Sequence, residues 1–590
     1  MSSILHKLRA KFLSPGSNLE LRLRTLYHRF SATRPGFKIQ DWRSRHSYKN
    51  WRFQQESIDP PETDDLAYQP NVSFLLNCPS GDSADVMSTI HSILNLSIKN
   101  WEILLLTADD EEYLPLPSSI KQDEHIKQIN KRQELEGQIT GDFLVFSAPG
   151  DRFSKHLLAY LFEAINRQPA ADIIYFDCEY TPEGETCAMP FFKPDAFSPE
   201  LLLSVNYLSR AFINMNAVNL QHFHKEDHHN LLAAEYDMIL RLVEADSSFE
   251  HIAKVLVSQK RLPLSADPGN TQVILSHLRR IGRLQPESKQ IGDCIRFSWM
   301  MNDPSIAIIV PTKNHPALLN ALITSILEKT EYENFTINLV DNDSDDEEVL
   351  LYYESLKHNT KCSILPYHGN FNYSTAINLG VENTKSDLVL LLNDDMEILD
   401  PCWLAELAQW AILPEIGVVG ARLLRKNRAL QHAGIIIGLN GFAGHIYLNA
   451  PEHFKGLFGS ADWYRDYFAL TGACQMVRRE LFTSVGGYDK GFRLAFGDID
   501  FCLRVNEKGF RNIYTPFANI CHYEGYSRGY ATPIEDIRRG YDKLETYLQT
   551  GDQYYSPNLS YTRIPRCINP KNNSDERMIR VKERRAFYKS

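Results

Sequence analysis

The chain has 590 residues, 43% of them hydrophobic, and carries 74 acidic against 63 basic side chains for a formal net charge of −11. This length exceeds what a single hydrophobic core supports, so two or three domains are expected. No apolar run is long enough to cross a bilayer and the N-terminus has no signal-peptide core, while the ten scattered cysteines, without a C-x-x-C pair, exclude a structural zinc site and read as reduced thiols of a cytoplasmic protein.

The charge is unevenly spread. Before Asp59 stand Lys7, Arg9, Lys11, Arg22, Arg24, Arg29 and further basic residues against very few acids, and the last segment carries Lys571, Arg577, Arg580, Lys582, Arg584 and Arg585. Ile4, Leu5, Leu8, Phe12 and Leu13 recur at helical spacing, so a peripheral membrane contact through these basic ends is one expectation. A basic arm that packs on the body through a few aromatics is the other. No nucleic acid is expected, because no reading motif accompanies the charge.

Residues 1–66 form the basic, partly helical segment, which stops at Pro60-Pro61. An α/β unit, 67–292, follows it. Its strands are read at Val72 to Leu76, Trp101 to Leu106, Phe143 to Phe146 and Ile173 to Phe176, with a helix from Val86 to Leu96. Strands alternating with helices argue for a mostly parallel sheet with helices on both faces.

Near Ser305 the pattern begins again, in a unit spanning 293–545 ahead of a basic tail, 546–590. Ile306 to Val310 and Thr336 to Val340 read as strands, Ala317 to Leu327 and Thr375 to Val381 as helices. The apolar run Leu388 to Leu392 reads as a strand buried on both faces, of the kind found inside a parallel sheet. It delivers Asn393-Asp394-Asp395 to the sheet edge where open α/β folds hold ligands. Carboxylates there suit a hard divalent cation that keeps positions open for phosphate; an acidic turn capping the next helix is the plain alternative. The shared order of elements reads as an internal duplication, supported by Ser92-Ile93-Leu94 beside Ser325-Ile326-Leu327. In the first copy the acidic triplet becomes Ala148-Pro149-Gly150, followed by Asp151. Chemistry is therefore expected in the second copy.

Four motifs at strand ends, in order, resemble those of family 2 glycosyltransferases: Pro311-Thr312-Lys313-Asn314, Val340-Asp341-Asn342-Asp343-Ser344, Asn393-Asp394-Asp395 and Phe496-Gly497-Asp498-Ile499-Asp500. Gln431-His432-Ala433-Gly434, Thr471-Gly472-Ala473-Cys474 and Gly486-Gly487-Tyr488-Asp489 narrow the resemblance to bacterial rhamnosyltransferase-like members. It implies two tandem domains of the nucleotide-sugar-binding fold called GT-A, the first degenerate. It also implies an inverting transferase that uses Mn2+ or Mg2+ to move a sugar, such as rhamnose from a thymidine diphosphate donor, to a surface polysaccharide or lipid-linked saccharide. The resemblance makes Asp498 the general base and Asp395 a metal ligand with Asn393 behind it, joined by His522. Donor contacts fall to Pro311, Thr312, Asn314, Asp341, Asn372, Asn378 and Asp394. Asp500 is expected to orient the acceptor or to hold Arg504. His432, His445, Trp463, Tyr467 and Gly472 lie in the interval that shapes the acceptor pocket in relatives, and Trp463 and Tyr467 are the candidates to stack on a sugar. Asn393 and Gly497 depart from the family's usual acids. That departure keeps open a second reading, a non-catalytic nucleotide-sugar-binding or scaffold protein of polysaccharide assembly. A sugar nucleotidyltransferase is disfavoured by the lack of a Gly-rich phosphate loop.

Overall fold

The structure is a computed structural model that describes residues 34–589, apart from 79–82, 108–115, 130–134, 136, 183, 186, 219–230, 524–531, 563–567 and 569–572. The stripe Ile4, Leu5, Leu8, Phe12 and Leu13 lies outside the described residues.

The first sheet takes β1 (Val72–Asn77), β2 (Trp101–Leu106), β3 (Ile126–Ile129), β4 (Phe143–Ser147), β5 (Arg152–Phe153), β6 (Ile173–Tyr180), β7 (Met189–Phe191), β8 (Phe212–Asn214) and β9 (Phe249–Gln259). Their spatial order is β3-β2-β1-β4-β8-β6-β9-β5, with β7 on β6. A hairpin of β10 (Glu287–Ile291) and β11 (Cys294–Ser298) links the two halves.

The second sheet takes β12 (Ile306–Thr312), β13 (Phe335–Asp341), β14 (Cys362–Pro366), β15 (Leu388–Leu392), β16 (Met396–Ile398), β17 (Ile416–Leu424) and β18 (Leu430–His432). After the small pairs β19 (Ile435–Ile437) with β20 (Ala443–His445) and β21 (Lys455–Gly456) with β22 (Gly459–Ser460) come β23 (Arg465–Tyr467), β24 (Cys474–Arg478) and β25 (Arg511–His522). The order β14-β13-β12-β15-β24-β17-β25-β16 repeats that of the first sheet position by position.

The fully apolar stretches of β12 and β15 sit at the centre because only a strand covered on both faces buries every side chain, and all five residues of β15 are buried. Each sheet is more mixed than the sequence suggests. β15 pairs in parallel with β12 but antiparallel with β24, and β4 pairs antiparallel with β8. Short strands that enter from the far side reverse the direction, and nothing in their composition announces it.

The described parts of the basic ends pack against the body of the fold. Helix Arg34–Glu56 lays Tyr48 and Trp51 on Phe192, with ring centroids 6.5 and 5.2 Å away. At the other end, the expected tail contains helix Asn573–Lys589. Arg577 there is buried and donates to the Gln549 carbonyl at 2.6 Å, and Arg585 pairs with Glu545 at 2.8 Å. Gly441 lies so close to this helix that a Cβ would come within 2.8 Å of the Arg580 carbonyl oxygen.

The two halves are joined by buried polar contacts. Ser198 Oγ donates to Asp466 at 2.5 Å, and Arg511, which reaches Glu200 at 2.7 Å, lies 3.5 Å from Asp466. Among the described residues, no helix is long and apolar enough to cross a membrane.

Candidate active site

A cleft of about 580 Å³ opens at the carboxyl ends of β12 and β15, lined by Pro311 to His315, Gln431, His445 and Phe496 to Asp498 among others. Its volume is in the range of small-ligand sites. Asn393, Asp394, Asp395, Gly472, Asp498 and His522 all contribute to the wall.

β15 ends in Asn393-Asp394-Asp395, and the next strand, β16, pairs with β25 so that Met396 faces His522. That register brings His522 Nε2 to 3.3 Å from Asp395 Oδ1, both side chains buried. Asp394 Oδ2 accepts from Thr312 Oγ1 at 3.0 Å. Burial and the Asp395 charge push its carboxyl up to about 6, while Thr312 and His315 pull it down. Asn393 Oδ1 is taken by the Tyr373 hydroxyl at 3.1 Å.

Asp498 stands in the first turn of helix Gly497–Glu507. Its Oδ2 accepts from Gly472 N–H at 2.7 Å and its Oδ1 from Ile499 N–H at 2.9 Å. Gly472 thus aims the carboxylate. The glycine before it also has a physical reason, since a Cβ at Gly497 would lie 2.9 Å from Ser374 Oγ.

Three non-glycine residues of the wall, Asn314 (φ 56°), His315 (φ 58°) and Phe496 (φ 68°), are left-handed. Such conformations cost about 1–3 kcal/mol each and cluster where function holds them.

Several expected site residues have other employment. Asp341 is outside the wall, one strand over from Thr312, and accepts from the Tyr353 hydroxyl at 2.9 Å and from Ser344. Asn314 lines the cleft, but its side chain holds the 345–346 turn, accepting from Asp345 N–H at 3.0 Å. Asn372 caps helix Tyr373–Glu382 through Thr375 N–H at 2.9 Å. Asn378 brackets the Tyr488 backbone, donating to its carbonyl at 2.8 Å and accepting its N–H at 2.9 Å. Asp500 holds Arg504 at 2.8 Å rather than facing the cleft.

Trp463 and Tyr467 correct the expectation most clearly. Trp463 packs edge-on against Phe191 of the first half at 5.4 Å, and Tyr467 is buried on Tyr514 at 6.4 Å. Neither lines the cleft: Trp463 faces the junction between the halves and Tyr467 the core of the second half. Conversely, His315 and Tyr373 line the cleft and were not anticipated. For His315 the available signal was its place in the turn that follows the first strand.

The first half repeats part of this arrangement. There Arg210 N–H donates to Glu235 at 2.7 Å, as Gly472 N–H does to Asp498, and Asp237 holds Arg241 at 2.7 Å, as Asp500 holds Arg504. The buried Arg210 side chain, where the second half has glycine, pairs with Asp151 at 2.6 Å and Glu235 at 3.4 Å.

Comparison with known proteins assigns the second half. Residues 307–486 match the family described as Glycosyl transferase family 2. The second half carries a family 2 glycosyltransferase domain. This chain is similar to the uncharacterized protein y4gI of Sinorhizobium fredii, 32% identical over 84% of this chain and 58% of that protein. It is similar also to the O-antigen biosynthesis protein RfbC of Myxococcus xanthus, 31% identical over 84% of this chain and 41% of that one. The chain thus spans about half the length of these curated relatives. A shorter stretch, 10% of this chain and 20% of the other, is 35% identical to an N-acetylglucosaminyl-diphospho-decaprenol L-rhamnosyltransferase of Mycobacterium tuberculosis. Among solved structures, mannosyltransferase PcManGT from Pyrobaculum calidifontis aligns over 41% of this chain and 64% of its own, at 17% identity and a TM-score of 0.31.

Proposed function

We propose that the family 2 domain is an inverting, metal-dependent glycosyltransferase that moves a sugar from a nucleoside diphosphate sugar to a hydroxyl of a surface polysaccharide or lipid-linked oligosaccharide. The observation that carries this reading is the convergence of Asp395 with His522, and of Asp498, on one cleft. The names of two relatives, an O-antigen biosynthesis protein and a rhamnosyltransferase, support envelope glycans as the setting and rhamnose as the first donor sugar to try.

The wall fits a divalent cation. Asp395 and His522 offer an oxygen and a nitrogen 3.3 Å apart, and no cluster of three or more His, Cys, Asp or Glu among the described residues encloses a metal by itself. One carboxylate oxygen and one imidazole nitrogen suit a cation such as Mn2+ whose remaining ligands would be phosphate and water. When bound, the metal supplies positive charge against the diphosphate leaving group.

The protein's own residues do the rest. Pro311, Thr312 and His315 bound the side of the cleft on which the nucleotide rests, with Asp394 behind Thr312. Asp498, fixed by Gly472 N–H on the cleft wall, is the carboxylate that takes the proton of an attacking hydroxyl in this reading. Attack opposite the departing diphosphate inverts the anomeric carbon. The first half is a non-catalytic copy of the same fold in this reading, with Arg210 paired to Asp151 and Glu235 where the second half has Gly472.

Asp498→Asn tests the assignment. Transfer, and donor hydrolysis measured with Mn2+, fall about 10²–10⁴-fold while calorimetry shows the donor still bound. Full turnover by the variant overturns the role of Asp498.

A further inference from the structure

Gln431 is 3% exposed, yet it belongs to the cleft wall. Its Oε1 is enclosed and accepts no hydrogen bond from any described residue. Buried amides are ordinarily paired, so this one requires a reason.

The strand that carries it supplies one. β18 pairs with β17 so that Leu424 faces Leu430 and Leu423 faces His432, which leaves Gln431 as the extra residue of a bulge. Bulges beside sites re-aim one side chain at the expense of local pairing. The neighbours hold the bulge in place. His432 is fully buried, and its Nδ1 lies 2.9 Å from Nδ1 of His445, which lines the same wall. Gln431 thus shares one cleft wall with Pro311 to His315 and with Phe496 to Asp498.

A primary amide offers one acceptor oxygen and a donor NH2 side by side. Two adjacent hydroxyls of a pyranose present the complementary pair, one hydroxyl donating while the next accepts. We propose that Gln431 is a specificity-determining residue that reads a vicinal pair of sugar hydroxyls in the cleft. This rests on the glycosyltransferase reading above. The sugar is either the one being transferred or the one receiving it, and the two sources separate experimentally.

The first measurement needs no substrate. Gln431→Leu replaces an unpaired enclosed amide by an apolar side chain of similar volume, and the ligand-free full-length variant melts at the same temperature or about 1–2 °C higher. A clear fall shows that the amide has a structural partner and overturns the proposal, whatever the protein's activity. The second measurement is calorimetric, with dTDP-rhamnose, UDP-glucose and GDP-mannose set beside their nucleoside diphosphates in the presence of Mn2+. If the transferred sugar is read, the variant binds the preferred nucleotide sugar about tenfold more weakly and its nucleoside diphosphate unchanged. If the receiving sugar is read, donor binding is unchanged and the acceptor KM rises about tenfold with kcat held. Unchanged values in both arms overturn the proposal. Absence of any nucleotide binding in the wild-type protein sinks the transferase reading, and the proposal that rests on it falls too.

Discussion

Gly472 contributes only backbone to the cleft, and the backbone is what the site uses. Its N–H holds Asp498 Oδ2 at 2.7 Å, and an added Cβ would stand 3.0 Å from both Asp498 Cβ and the Tyr488 hydroxyl. Gly472→Ala therefore displaces the carboxylate. Because catalytic geometry tolerates little displacement, kcat falls about 10–100-fold, with nucleotide affinity and melting temperature near wild type; a variant with unchanged kcat shows that Gly472 does not position Asp498. Asp395 and Asp498 were open to a sequence reading because each follows a recognisable strand end or helix start. Trp463 was not, since its partner Phe191 belongs to the other half of the chain. Asn372 and Asn378 show the same gap in another form, because a cap and a backbone bracket need the same residue type as a ligand contact.

At the scale of elements, runs such as Leu388–Leu392 announced their strands through unbroken burial, and the repeated order of elements was visible in both halves. Strand direction was hidden. β8 and β24 are short, and parallel or antiparallel pairing depends on the route of the connecting chain rather than on side-chain pattern. Strand β9 carries a further testable contact, His251, whose ring nitrogens lie 3.1 Å from Asp177 and 2.7 Å from Asp195 while its ring stacks on Tyr175 at 4.7 Å. Burial pulls this imidazole down, but the two carboxylates outweigh it and raise its pKa to about 9. A raised histidine stabilises the fold fully below its unfolded value near 6.5, and this contribution is lost as pH climbs through about 9. The contribution is on the order of 3 kcal/mol. Urea denaturation from pH 6.5 to 9.5 is expected to show wild-type stability falling across that window more steeply than that of His251→Gln. Parallel curves refute the assignment.

For the whole molecule, the question is what keeps two halves with the same strand order together. The junction answers through a buried charge cluster. Glu200 of the first half and Asp466 of the second share Arg511, and Ser198 donates to Asp466. Burial and the neighbouring Glu200 raise the Asp466 carboxyl well above the carboxylate range, while Arg511 holds Glu200 below it. The cluster thus buries the Asp466 carboxyl and the Glu200 charge beside a partly exposed Arg511, and it sits against β23 and β25, the latter ending at His522. Arg511→Met removes the only cation of this group and leaves the Glu200 charge buried without it. Breaking a buried pair in this way costs about 3–5 kcal/mol. Scanning calorimetry is expected to show the wild-type halves unfolding in one transition, and the Arg511→Met halves in two, the earlier one at lower temperature. Adding Glu200→Gln removes the stranded charge and is expected to restore most of the loss, because a fully neutral cluster has little desolvation penalty left. If the single variant melts like wild type, or if the double variant is no better than the single, the halves are held by their apolar contacts, such as Phe191 on Trp463, and the charge cluster is incidental to the junction.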